Sequence, residues 1–379
     1  MRFKITILIV GMVLTGCIID RGSYVPAPRP MTAAESASAM VDEAMVQTMI
    51  ARFGPLIYLR SDDAYVLDDP DYVLDNGVTL NWGLVENETD YNSFKATRVR
   101  TMPTSSATIL RDWTTIKEGI ESTDNPEAYR YWLHIPDKLK SGSMRRARAL
   151  VHVLPADSMS TEIQFWLFYP FNGPGRVEVC ASSKMCDDNW LREAGRHYGD
   201  WEMVSVLVSN DARDLLGVYM SRHNTSETFD RWEDGSFRST TNSNNKLSFE
   251  GLGRNSHPIV YAGISSHAHY TTPGTHNYKR VFSKDYGVGT ASADLFDRTD
   301  VGRGLLAHKP AGYRIIASDL PDFQVEEPDW LQYDGRWGQY ERSTDKIKWA
   351  LHFIKVYTFS EVSRGPTGPK AKTAWSGVF

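Results

Sequence analysis

The chain has 379 residues, with 42 Lys and Arg against 47 Asp and Glu, a formal net charge of −5 and 41% hydrophobic residues. That length suits one large or two small folded domains, and the acidic balance argues against a nucleic-acid partner, which needs a basic footprint.

Arg2 and Lys4 open the chain, Ile5 to Leu14 form an apolar stretch too short to span a bilayer, and Leu14-Thr15-Gly16-Cys17 closes it. The arrangement resembles a bacterial lipoprotein signal peptide (residues 1–16), cut before Cys17, which is then acylated with palmitate-type chains. Ile18 after the cysteine implies the outer membrane of a Gram-negative cell envelope, so the expected partner is a membrane reached through lipidated Cys17. Cleavage removes the positive charges of Arg2 and Lys4 and takes the formal charge from −5 to −7. Residues 17–45 read as the lipidated tether and the start of a helix. Thr32-Ala33-Ala34-Glu35 has a capping-box pattern, and Val41, Met45 and Met49 at helical spacing carry the helix to about Arg52. Residues 46–379 read as a single large β domain.

From Leu56-Ile57-Tyr58-Leu59 onward, short apolar runs alternate with Gly, Pro, Asn and Asp. The runs are Ala149 to Leu154, Ile163 to Tyr169, Met203 to Val208, Leu216 to Met220, Ile259 to Ala262 and Trp349 to Phe353. Many short strands with few long helical patterns predict a mainly β fold, an antiparallel β-sandwich with peripheral short helices. The polar stretch Asn224 to Asn255 reads as a long hairpin or surface excursion. Once Cys17 is acylated, only Cys180 and Cys186 remain. In an exported chain the Ala-Ser-Ser-Lys-Met spacer permits a disulfide; two free thiols are the alternative, and no second cysteine pair exists to complete a zinc site.

In His197-Tyr198-Gly199-Asp200-Trp201-Glu202, followed by Met203 to Val208, strand alternation points Asp200 and Glu202 the same way as Val204, Val206 and Val208. If the valine face looks inward, two carboxylates lie at the edge of a low-dielectric interior, where each ion costs several kcal/mol unless compensated. Something cationic should meet them. A second histidine-rich segment, Ser265-Ser266-His267-Ala268-His269-Tyr270, follows the strand at Ile259. Three roles are open: metal ligation, acid/base catalysis by paired carboxylates, or an ion-pair knot with Arg192 or Arg196. The apolar strand favours metal, because a divalent ion neutralises both carboxylates at once.

Phe168-Tyr169-Pro170-Phe171-Asn172-Gly173-Pro174-Gly175, the His197 hexapeptide, Tyr219-Met220-Ser221-Arg222-His223, Pro258 to Ala262 with Ser266 to Tyr270, Trp337-Gly338 and Gly365 to Pro369 occur in the order of the vacuolar protein sorting-associated protein 62-like family, which the chain resembles over residues 53–379. A more distant resemblance is to the necrosis- and ethylene-inducing peptide-like proteins, secreted β-sandwich cytolysins with a Gly-His-Arg-His-Asp-Trp-Glu heptapeptide. It implies a divalent cation, calcium or magnesium, held by His197, Asp200 and Glu202. Asn172 stands where the family has a further aspartate, Gly199 replaces the second histidine, and Trp201 matches. The same resemblance places His267 beside the cation. His269, His223 and Trp201 complete the candidate ligand-binding set. The expected function is a lipid-anchored protein that uses the cation to bind a glycan or glycolipid head group, with possible activity on membranes. The rivals are a metal-dependent hydrolase of phosphoester or glycosidic bonds, with His267 or His269 as the catalytic acid or base, and a structural surface lipoprotein.

Overall fold

The computed structural model describes residues 41–379 apart from 124, 183–184, 224, 252–254, 286–289 and 349–355. Cys17, the tether, the Thr32 capping box and the whole of the strand expected at Trp349 to Phe353 lie outside the described residues. The first helix described, Glu43–Phe53, is capped by Asp42, whose carboxylate accepts the Met45 N–H at 2.9 Å. Val46, Met49, Ile50 and Phe53 form its buried face. Among the described residues no helix is long and apolar enough to cross a membrane.

A seven-stranded sheet forms the centre, in the order Phe237–Ser239, Thr225–Arg231, Leu215–Arg222, His197–Ser209, Ser160–Asn172, Ala149–Pro155 and Tyr313–Ser318. Its pairs are antiparallel except the last, which is parallel. The polar stretch after Asn224 thus becomes its outer strands. Ser160–Asn172 is buried along all 13 residues, which explains its nearly continuous apolar run: both faces of the sheet are covered.

On one face lies a five-stranded sheet built on Leu56–Leu59 and His257–Ala262, which run parallel. Ile57, Leu59, Val260 and Ala262 from it meet Ile163, Phe165, Leu167, Val204, Val206 and Val208 in one core, the expected sandwich. The other face carries Trp166, Phe168, Trp201 and Met203 against Trp330, Trp337, Leu80 and Leu133. Full burial of each large apolar side chain contributes about 1.5–3 kcal/mol. A four-stranded sheet, Gly274–Asp285, Thr290–Thr299, Arg176–Ser182 and Met185–Trp190, contains the disulfide between Cys180 and Cys186, which face each other across adjacent strands.

Candidate metal centre

The site begins with a change of face. Asp200 and Glu202 lie opposite Tyr169 and Leu167 on the neighbouring strand and are fully buried, continuing the valine face as alternation requires. Further back, strict alternation would send His197 to the opposite, tryptophan-rich side. Gly199 changes this. At φ +60° it adopts a left-handed conformation in which a Cβ would lie 2.2 Å from the Trp337 carbonyl oxygen. Tyr198 and Phe171 consequently pack with Trp337 and Trp201, and the next opposed pair, His197 and Asn172, returns to the carboxylate side. Gly338 and Gly365 pack directly on the Tyr198 carbonyl. The Trp337-Gly338 and Gly365 motifs therefore brace this turn.

Hydrogen bonds fix which atoms His197 and Asn172 present. The Asn172 amide donates to the carbonyls of Gly173 at 3.0 Å and Gly195 at 2.8 Å, leaving Oδ1 as the acceptor. His197 Nδ1 lies 2.8 Å from the Gly199 carbonyl and must donate to it, leaving a lone pair on Nε2. Burial lowers the His197 pKa, against the opposing pull of Asp200 and the Gly199 carbonyl, so the ring is neutral. Asn172 Oδ1 and His197 Nε2 are both buried with no hydrogen-bond partner.

His267 approaches the carboxylates from the other sheet. Its Nδ1 is 3.0 Å from Asp200 Oδ2 and its Nε2 is 3.1 Å from the Tyr65 carbonyl. Both partners are acceptors, so the doubly protonated ring satisfies both. The ring stacks flat on Tyr169, 3.7 Å between centroids. Burial works to raise the Asp200 pKa, yet the His267 hydrogen bond and the Lys372 charge hold it below the usual carboxylate range. Glu202 accepts from the Ser221 hydroxyl. Ser265 and His267 themselves lie in the left-handed region, at φ 66° and 58°. Asp63 holds that turn by accepting the Ser265 N–H at 3.0 Å. Burial raises the Asp63 pKa, partly countered by His267.

Of the two arginines considered for an ion-pair knot, Arg196 pairs with Glu341 at 3.4 Å, and the backbone N–H of Arg192 is bound by Asp345. Asp345 accepts the successive backbone N–H groups of Arg192, Glu193 and Ala194 at 2.8, 2.9 and 2.7 Å, and Glu361 accepts that of Gly195. These carboxylates fix the loop whose Gly195 carbonyl orients Asn172.

The other expected residues have different surroundings. His269 is buried and pushed down to about 3 by that burial. Trp201 is fully buried against Phe168 and Trp337, so it is not a surface stacking platform. His223 lies on a half-buried rim, where its Nε2 is 2.5 Å from Asp297 Oδ2. Asp297 also accepts from Tyr270 at 2.6 Å, while Tyr278 packs on His223 and His276 on Tyr270. Two surface cavities, about 380 Å³ beside Arg314 and about 300 Å³ beside Phe249, are lined by none of these residues.

Asp63, Tyr169, Ser221 and Asp297 were not legible as site residues: an acidic pair after a strand, or a tyrosine within one, has no distinctive spacing. Among the described residues, the one group of three His, Cys, Asp or Glu ligand atoms within 4.8 Å of one another is Glu178, Cys180 and Cys186, whose sulfurs are joined to each other. His197, Asp200 and Glu202 are spaced more widely. Calcium–oxygen bonds of about 2.3–2.6 Å would require their side chains to move inward. The donor set nevertheless fits a hard cation: oxygen atoms and one imidazole, two of the atoms otherwise orphaned.

The family model of vacuolar protein sorting-associated protein 62 matches residues 117–378, more than half of the chain, and the chain belongs to that family. No curated protein and no solved structure matches it.

Proposed function

We propose that this family member is a lipid-anchored protein of the bacterial cell envelope that holds a divalent cation, calcium or magnesium, with Asn172, His197, Asp200 and Glu202. The observation that carries this reading is the opposed pair of buried lone pairs, Asn172 Oδ1 and His197 Nε2, without donors and beside two buried carboxylates. A buried unsatisfied acceptor costs about 1–3 kcal/mol, and a cation relieves two of them while offsetting the carboxylates.

All four ligands are at most 5% exposed, so the ion would tie the His197 strand to the turn that carries His267, with no open face toward a large ligand. The polar ligand, a glycan or glycolipid head group, would then meet the rim of His223, His276 and Tyr278, whose aromatic faces suit sugar stacking. Asp297, which accepts the Tyr270 hydroxyl at 2.6 Å, couples that rim to the segment that carries His267. The hydrolase reading is favoured by one feature, the rim pair His223–Asp297, since an imidazole oriented by a buried carboxylate is a general acid/base arrangement. The anchor rests on the lipobox at Cys17.

Elemental analysis of purified wild type and of the Asp200→Ala, Glu202→Ala double variant tests the cation. Bound calcium or magnesium in the wild type and its loss in the variant are expected; equal metal content in both would remove the reading. Glycan-array binding and phosphodiesterase turnover, each with and without chelator, separate binding from hydrolysis. Recovery of Cys17→Ser in the soluble fraction tests the anchor.

A further inference from the structure

Away from the metal centre, three guanidinium groups converge on one carboxylate. Glu88 follows the strand Thr79–Glu86; Arg130 belongs to Tyr129–His134, and Arg364 follows Val356–Ser363. Arg364 Nη1 lies 3.0 Å from Glu88 Oε2, Arg336 Nη2 3.4 Å from the same oxygen, and Arg130 Nε 3.7 Å from Oε1. Tyr340 donates its hydroxyl to Glu88 at 2.8 Å and accepts from Arg336 Nε at 3.0 Å. Arg336 is further fixed by the Gly365 carbonyl at 3.1 Å, and Arg130 by that of Tyr129 at 3.0 Å.

One carboxylate cannot balance three guanidiniums, so the cluster has two positive charges in excess within an acidic chain. Among the described residues, the ion pairs of Arg130, Arg336 and Arg364 all go to Glu88. Burial, then the Arg336 charge, lowers the Arg364 pKa, while the arginines and Tyr340 overcome burial to keep Glu88 ionised. A single surface ion pair is worth little, and one arginine would satisfy Glu88. Three mutually repelling forks make sense when something dianionic joins them. Planar guanidiniums match the oxygen geometry of phosphate and sulfate. The arginine side chains are 40%, 22% and 21% exposed, so an ion reaches them without opening the fold.

We propose that Arg130, Arg336 and Arg364 form an oxyanion site for a phosphate or sulfate group, with Glu88 as the internal carboxylate that holds the three forks in place. The site is separate from the cation ligands and stands whether or not the cation does.

The test is calorimetric titration of the full-length protein with inorganic phosphate and with sulfate, against chloride at equal ionic strength. Saturable oxyanion binding is expected in the wild type and about tenfold weaker in Arg364→Gln, the size of one charge-assisted contact. Arg364→Lys, which keeps the charge but loses the fork, should fall between wild type and Arg364→Gln, and it serves if the glutamine variant does not fold. Co-sedimentation with phosphatidylglycerol and with phosphatidylcholine vesicles distinguishes a lipid phosphate from a soluble one. Retention on the anionic vesicles alone, weakened by the Arg364 variants, supports the site with lipid as the source. Equal heats for phosphate, sulfate and chloride without such retention, or binding unchanged in the Arg364 variants, would overturn the proposal and leave the cluster as a structural ion-pair network.

Discussion

Gly199→Ala tests whether the face change in the His197 strand creates the site. At φ +60° an alanine is strained by about 1–2 kcal/mol. Its Cβ would also lie 2.2 Å from the Trp337 carbonyl oxygen and 2.8 Å from its carbon. Those are backbone atoms of a fully buried tryptophan wedged between Phe168, Trp201 and Trp330, so they cannot swing aside as a flexible side chain would. Overpacking of this kind costs about 1–3 kcal/mol. The sum, about 2–5 kcal/mol, is a large part of the about 5–15 kcal/mol that keeps a domain folded. Urea unfolding of wild type and variant gives the difference. Gly119→Ala is the control: it lies in the helix Ile109–Glu121 with nothing within 4 Å of the added Cβ, and it should stabilise by about 0.8–1 kcal/mol. A Gly199→Ala protein within about 0.5 kcal/mol of wild type, the range of an inert surface change, would refute the close approach and with it the account of how His197 reaches the carboxylates.

His267→Ala removes a fully buried ring with both nitrogens hydrogen-bonded and leaves Asp200 short of a donor, so a loss of about 1–3 kcal/mol in thermal or urea unfolding is expected; unchanged stability would place His267 at a ligand-facing position instead. Alkylation and intact-mass measurement on protein isolated under oxidising conditions should find Cys180 and Cys186 reactive only after reduction, with about 2 kcal/mol of stability lost on opening so short a loop. His308 is pushed down to about 4, mainly by burial and then by His257 and Lys309. The unfolded chain therefore takes up a proton near pH 6.5 that the folded one refuses. Its contribution is complete above that pH, falls by at most about 1.4 kcal/mol per unit as pH drops toward 4, and levels off below. Urea midpoints of wild type and His308→Gln at pH 7.5 and 4.5 should converge in acid, and parallel curves would contradict the assignment.

Local alternation was enough to determine that Asp200 and Glu202 share the valine face, that residues 163–169 and 203–208 are strands, and that an antiparallel β fold surrounds them, because side-chain direction along a strand repeats every two residues whatever lies beyond. The order of motifs in the chain was enough to place it in its family. What covers that valine face was decided by the tertiary structure. His267 and Asp63 meet the carboxylate face only because the parallel pairing of Leu56–Leu59 with His257–Ala262 lays a second sheet over the first, and contacts across sheets leave no period in the sequence. Gly199 was readable as a place where the chain can bend. The sign of its φ, and so the return of His197 to the carboxylate side, depends on the Trp337 backbone packed against it from more than a hundred residues away. Likewise, Asp345 and Glu361 could not be recognised as the anchors of the 192–195 loop, since backbone N–H groups are offered by almost every residue and so leave no residue type in the sequence to betray the carboxylate that binds them. The arginines around Glu88 follow the same rule: each is an ordinary surface residue in its own segment, and only the folding of three distant segments onto one carboxylate gives them a joint charge to answer.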